Sequence, residues 1–172
     1  MAHVILTGFM ATGKTEVGRR LARLLGWPFV DTDALVEAAA GRTVAEIFAA
    51  DGEPRFRELE RAAVEQACAV PEAVIATGGG ALLDPQNRRR LAAAGPIVCL
   101  SARPEDILAR IGDVSTRPLL ANGNGGGDRL ARIRGLLAER APAYAIATHA
   151  VDTSGLTVEQ VAASIHALVA GQ

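Results

Sequence analysis

Gly8-Phe9-Met10-Ala11-Thr12-Gly13-Lys14-Thr15 is the stretch whose reading decides the rest of the chain. Two glycines with four residues between them, followed by Lys and a hydroxyl residue, form a loop whose backbone N–H groups turn inward around phosphates. Lys14 adds a mobile cation, and the Thr15 hydroxyl is of the type that reaches a magnesium ion. The pattern needs a strand before it and a helix after it. His3-Val4-Ile5-Leu6-Thr7 supplies the strand, and Val17, Leu21, Leu24 and Leu25 recur at helical spacing behind the loop. A nucleoside triphosphate is the expected ligand.

The 172 residues, 49% of them apolar, are enough for one core, so a single domain over 1–172 with a mobile insert is expected. A net charge of −1 argues against a broad nucleic-acid footprint. No run of about eighteen apolar residues occurs, and the start lacks a leader pattern. No membrane partner is expected, and a cytoplasmic, monomeric protein is. Cys68 and Cys99 stand far apart without CxxC or Cys/His spacing and read as small core residues, while His3, His149 and His166 are isolated and read as structural or surface groups.

Outward from the loop, Pro28-Phe29-Val30 reads as a second strand that delivers Asp31-Thr32-Asp33 to its carboxyl end, where α/β sheets bind ligands. Thr43 and Glu46 have capping-box spacing, and Pro54 is expected to open a helix reaching about Ala69. Ala73-Val74-Ile75-Ala76 is a third apolar run, stopped by Thr77-Gly78-Gly79-Gly80, and Asp84-Pro85 starts a helix carrying Leu91. Ile97-Val98-Cys99-Leu100 is the fourth strand, with a helix from about Pro104 to Ile111. The Asn/Gly-rich stretch between Asp113 and Gly127 reads as mobile. Asp128 is expected to cap the next helix, Ala150-Val151 to form a fifth strand, and Thr157/Gln160 to cap a closing amphipathic helix. Short, uniformly apolar strands alternating with helices indicate an α/β protein with a parallel sheet covered on both faces. Spacing leaves the strand order open.

Phosphoryl transfer asks a protein for a donor cradle, a metal, a group that orients the acceptor hydroxyl, and cations. Asp31 and Asp33, two apart in an extended segment, are expected to point to one side of a strand end, one toward magnesium and one toward a proton, although capping of the following helix would need only one of them. Arg57, with Glu53 and Glu60 at helical spacing, reads by itself as a solvated ion pair. Gly78, Gly79 and Gly80 either let a substrate approach the backbone or make a tight turn. Arg117 adjoins the flexible segment and is placed to swing over phosphates, and Arg140 near a helix end has a sufficient structural explanation in the helix dipole.

Taken together, the phosphate loop, Asp31-Thr32-Asp33, Phe56-Arg57-Glu58-Leu59-Glu60, Gly78-Gly79-Gly80, Arg117-Pro118-Leu119-Leu120 and Arg140-Ala141-Pro142-Ala143-Tyr144 resemble shikimate kinases over nearly the whole chain. The resemblance implies a P-loop, nucleoside-monophosphate-kinase-like fold of three α/β/α layers around a five-stranded parallel sheet, with a helical substrate region at about 31–61 and a lid at about 112–128. It implies transfer of the ATP γ-phosphate to the 3-hydroxyl of shikimate, with Mg²⁺, on the route to chorismate and the aromatic amino acids. On this resemblance Gly8, Ala11, Thr12, Gly13, Lys14, Thr15, Glu16, Arg110 and Arg117 hold ATP, with Arg110 beside adenine. Lys14, Asp33 and Arg117 act in catalysis, and Thr15 and Asp31 serve the metal. Asp33, Arg57, Gly78, Gly79, Gly80 and Arg140 face shikimate, the two arginine forks taking its carboxylate.

Two features depart from the family pattern. Ala11 stands where glycine is frequent, which a negative φ would accommodate, and the Asn/Gly-rich lid is longer than usual. Rival readings are a kinase of another hydroxy acid such as gluconate, a nucleoside monophosphate kinase, and a nucleotide-dependent switch that transfers nothing to a small molecule.

Overall fold

The computed structural model describes residues 2–111 and 126–171. Five strands, β1 (Val4–Gly8), β2 (Phe29–Asp31), β3 (Val74–Ala76), β4 (Ile97–Ser101) and β5 (His149–Asp152), form one parallel sheet in the order β2-β3-β1-β4-β5. The helices are α1 (Lys14–Leu25), α2 (Thr32–Ala40), α3 (Val44–Ala69), α4 (Pro85–Ala94), α5 (Pro104–Arg110), α6 (Gly126–Tyr144) and α7 (Val158–Ala170), with a 3₁₀ turn at Ala81–Leu83.

Strand side chains alternate between the sheet's two faces, and the helices sort accordingly. Val4 and Leu6 join Val74, Val98 and Leu100 in packing on Leu21 of α1 and on Val161 and Ile165 of α7. Ile5, Ile75 and Ile97 turn the other way, onto Val64 and Ala67 of α3, Leu91 of α4 and Ala143 of α6. Three layers result. A lateral core of Val36, Ile47, Phe56 and Ala63 holds α2 against α3, and another joins Phe9 with Ile107 of α5 and Ile133 and Leu136 of α6. His3 is buried as a structural group, its Nε2 2.7 Å from the Val70 carbonyl and its Nδ1 3.2 Å from that of Ala94. Cys99 is buried, Cys68 only half so, and both are free.

The helix expected from Pro54 to about Ala69 forms as the second limb of α3, behind a break at Gly52 (φ 81°, ψ 172°) that places Pro54 near the start of that limb, where no helical hydrogen bond is lost. Asp128 lies in the first turn of α6 rather than capping it, because α6 starts at Gly126. Both capping boxes, Thr43/Glu46 and Thr157/Gln160, form with their reciprocal hydrogen bonds. The lid centre and Arg117 lie outside the described residues.

Ala11 is the clearest departure: its φ is +58°, left-handed rather than negative. Glycine at this loop position would meet no Cβ penalty, and alanine bears one of about 1–2 kcal/mol. Ala11→Gly relieves that strain but adds roughly 0.5–1 kcal/mol of unfolded-state entropy. It is expected to leave the unfolding free energy within about 1 kcal/mol of wild type, whereas Ala11→Val lowers it by more than about 1 kcal/mol, since branched residues are outliers at positive φ. Urea titration of both variants checks this.

Candidate active site

The strand order brings the site together. β3 pairs with β1 on one side and β2 on the other, with Ala76 registered against both Leu6 and Asp31. Three neighbouring strand ends therefore deliver the phosphate loop, Asp31 and Thr77–Gly80 to one edge, and a cavity of about 300 Å³ opens there.

On the loop side, Gly8 (φ 132°) passes so close to β4 that a Cβ on it would sit 2.1 Å from the Leu100 carbonyl oxygen, so no side chain fits. The Thr12 hydroxyl donates to the Phe9 carbonyl at 2.7 Å, and Lys14 Nζ donates to the Gly8 and Phe9 carbonyls at 2.9 and 2.7 Å. Gly13 stands at the N-terminus of α1 without a side-chain cap, which leaves the first-turn amides to an anion. Lys14 is the only lysine among 18 Lys and Arg residues. A compact ammonium on a flexible stem survives here in a chain that otherwise uses the planar guanidinium.

Asp31 makes the helix cap that the sequence offered as one alternative and also bonds Thr15. Its Oδ1 caps α2, accepting from the amides of Asp33 and Ala34 at 2.9 and 3.3 Å, and its Oδ2 accepts from Thr15 Oγ1 at 3.1 Å. Asp33 is consequently helical, in the first turn of α2, and the expected extended Asp-Thr-Asp segment stops at Asp31. Among the described residues no cluster of three or more His, Cys, Asp or Glu side chains is built for a metal. Thr15 and Asp31 offer two hard oxygens, a donor set that suits Mg²⁺, which takes few protein ligands and keeps water and phosphate oxygens around it.

Across the cavity stand the two arginines. Arg57 Nη1 donates to Glu60 Oε1 at 2.9 Å and its Nη2 to Glu53 Oε1 at 3.1 Å, the ion pairs that helical spacing anticipated. The pairing with Glu60 is not solvated, however: Glu60 is 1% exposed. Arg140 is 3% exposed, lies one turn before the end of α6 and has its guanidinium 5.3 Å above the Phe9 ring, so the dipole explanation does not account for it. Its Nη1 is buried without a hydrogen-bond partner among the described residues.

Gly78–Gly80 runs beneath these groups as a strip without side chains. A Cβ on Gly78 would lie 2.9 Å from both Asp33 Oδ1 and Glu60 Oε2, one on Gly79 3.0 Å from Arg140 Nη1, and one on Gly80 2.7 Å from Arg57 Nη2. Asp33, Arg57, Arg140, Lys14, Thr15 and Gly78–Gly80 thus line one cavity. Glu16 also lines it, while Arg110 touches the loop from outside, its Nη1 3.2 Å from the Ala11 carbonyl and 3.3 Å from Thr153 Oγ1.

Sequence reading missed the apolar wall of Val44, Phe48 and Phe56, whose two rings meet at 4.8 Å, and the burial of Glu60. Phe48 and Phe56 are two of only four phenylalanines, a signal that was present. Burial pushes the Glu60 carboxyl above its ordinary value near 4.5, Arg57 and Arg140 oppose the shift, and Asp33 adds to it. A carboxyl raised in the folded state favours folding while protonated, so this contribution is present below about 4.5 and is lost as pH rises through the folded value. Wild-type stability relative to Glu60→Gln is expected to fall as pH climbs from there, read by urea unfolding across pH 4–8. A difference that stays flat contradicts it.

A family model described as shikimate kinase matches residues 10–170. The chain belongs to the shikimate kinase family. A shikimate kinase from Caldanaerobacter subterraneus subsp. tengcongensis is 49% identical over 165 residues, spanning 96% of this chain and 94% of the relative. The solved shikimate kinase from Acinetobacter baumannii in complex with shikimate matches with a TM-score of 0.93 and 34% identity, over 99% of this chain and 94% of that one. A gluconokinase from Sinorhizobium meliloti, at 19% identity and a TM-score of 0.61, shares the fold alone. Shikimate kinases are phosphotransferases that use ATP with Mg²⁺, and among the described residues of this member no helix is long and apolar enough to cross a membrane.

Proposed function

We propose that this cavity phosphorylates the 3-hydroxyl of shikimate with ATP, giving shikimate 3-phosphate for aromatic amino acid biosynthesis. The observation that carries the reading is the arrangement of Arg57, Arg140 and Asp33 along one glycine strip that faces the phosphate loop. A planar carboxylate suits two guanidinium forks, and a ring carrying hydroxyls suits a wall of phenylalanine opposite carboxylates.

In this reading Gly8, Ala11, Thr12, Gly13, Lys14, Thr15, Glu16 and Arg110 hold the donor. The loop amides and Lys14 meet the phosphates. Thr15 and Asp31 hold Mg²⁺, which when bound neutralises phosphate oxygens. Asp33 takes the proton of the acceptor hydroxyl as that oxygen attacks the γ-phosphorus and the bond to ADP breaks. Arg57 and Arg140 hold the carboxylate, and Gly78, Gly79 and Gly80 admit the ring. Arg117, from a lid at about 112–128, reaches the phosphates. The whole chain acts as one domain, as a monomer in the cytoplasm.

Coupled ADP release with ATP, Mg²⁺ and shikimate tests this, with the product identified by phosphorus NMR and with gluconate and nucleoside monophosphates offered as competing acceptors. Turnover that depends on shikimate and yields the 3-phosphate is expected. Efficient phosphorylation of gluconate or of a monophosphate in its place overturns the reading.

A further inference from the structure

Two polar side chains hold the glycine strip without lining the cavity. The Gly78 amide donates to Thr32 Oγ1 at 3.2 Å, and Tyr144 Oη donates to the Gly79 carbonyl at 2.5 Å. The second bond has directional consequences. In a trans peptide the carbonyl and the following N–H point opposite ways, and the described residues contain no cis peptide. The Tyr144 ring packs against the core that contains Ile5, Ile75 and Leu82, so the Gly79 carbonyl turns toward that core. The Gly80 N–H therefore turns away from it, and Gly80 itself lies against the Arg57 guanidinium and lines the cavity. Among the described residues the Gly80 amide donates to no protein acceptor.

Tyr144 also stands one helical turn after Arg140 on α6, with its oxygen against that guanidinium. Burial pushes its hydroxyl up to about 12 against the pull of Arg140, so it stays a donor throughout the working pH range. Arg140 Nη1 in turn lies over Gly79. One hydroxyl thus links the orientation of a backbone donor to that of a buried cation.

We propose that Tyr144 is a positioning residue of the acceptor site: by holding the Gly79 carbonyl it aims the Gly80 amide into the cavity and fixes Arg140 beside it. The inference rests on the acceptor-site reading given above. The Tyr144 hydroxyl bonds the glycine strip rather than the phosphate loop, whose own hydrogen bonds run from Thr12 and Lys14 to the Gly8 and Phe9 carbonyls, so its main effect falls on acceptor capture.

Tyr144→Phe keeps the ring and removes only the hydroxyl. Its KM for shikimate is expected to rise about tenfold, ~1.4 kcal/mol, with kcat and the KM for ATP within about twofold. The amide ¹⁵N resonance of Gly80 is expected to shift and its hydrogen exchange to accelerate, because the carbonyl of the same peptide loses its donor. An unchanged shikimate KM overturns the proposal, as does a uniform loss in all kinetic parameters together with a lowered melting temperature, which marks Tyr144 as packing only. If wild-type protein turns over no shikimate, the substrate reading fails, and the Gly80 amide then decides the positioning claim: a shift upholds it and an unmoved resonance overturns it.

Discussion

Asp33→Asn is expected to lower kcat by roughly 10²- to 10⁴-fold, the range for loss of a general base, while the KM for ATP changes less than about threefold. The separation follows from where the carboxylate stands. Asp33 is in the first turn of α2, with Oδ1 against Gly78 and near Glu60, on the wall shared with the two arginines. The donor loop is held by hydrogen bonds to the Gly8 and Phe9 carbonyls and by the Thr15 bond to Asp31, none of which uses the Asp33 side chain. Asparagine keeps the volume and one acceptor oxygen, so a hydroxyl still finds a partner, but the amide does not take up its proton. Steady-state kinetics with each substrate varied in turn measures the split. A loss of only about tenfold in kcat would assign Asp33 to alignment of the hydroxyl, and equal losses in turnover and ATP binding would remove it from the acceptor side.

Arg57→Ala carries two effects that are separable. Loss of a charge-assisted fork is worth about 1.5–3 kcal/mol, so the KM for shikimate is expected to rise roughly 10- to 100-fold. The same change also removes the Glu60 partner. Glu60 is buried, its carboxyl already raised by desolvation, and Arg57 is the strongest influence holding it down. Breaking a fully buried pair costs about 3–5 kcal/mol; Arg57 is 18% exposed on its side chain, which places the expected stability loss nearer ~2 kcal/mol. The double variant Arg57→Ala/Glu60→Gln removes the stranded carboxyl, so it is expected to regain most of the stability and none of the shikimate affinity. Urea titrations alongside direct calorimetric titration with shikimate measure both. An affinity unchanged in the single variant would take Arg57 out of the carboxylate clamp.

Glu60 shows why part of the site escaped a linear reading. Its spacing from Arg57 reveals a pair, but spacing carries no information on what packs above that face of α3, and the same letters fit a solvated surface or a sealed wall. Phe48 and Phe56 lie on either side of the break at Gly52 and meet only because the helix bends there. Asp31 illustrates the opposite case: a linear reading sets capping against function as if a single role had to be chosen, yet a carboxylate has two oxygens, and while Oδ1 caps α2, Oδ2 is left to meet Thr15.

By itself the sequence determined the phosphate loop, the alternation of strand and helix, the parallel α/β class, both capping boxes and the family resemblance. Each of these depends on neighbours within a few residues or on periodicities of two and 3.6, which a linear chain carries in full. Tertiary structure alone decided the strand order β2-β3-β1-β4-β5, the burial of Glu60 and Arg140, the positive φ of Ala11 and the bond from Tyr144 to Gly79. These arise between segments far apart in the chain, as with Ile5 beside Ile97 in the sheet and Tyr144 bonded to Gly79, where the free energy of packing the whole core outweighs local preference and fixes which side chains meet.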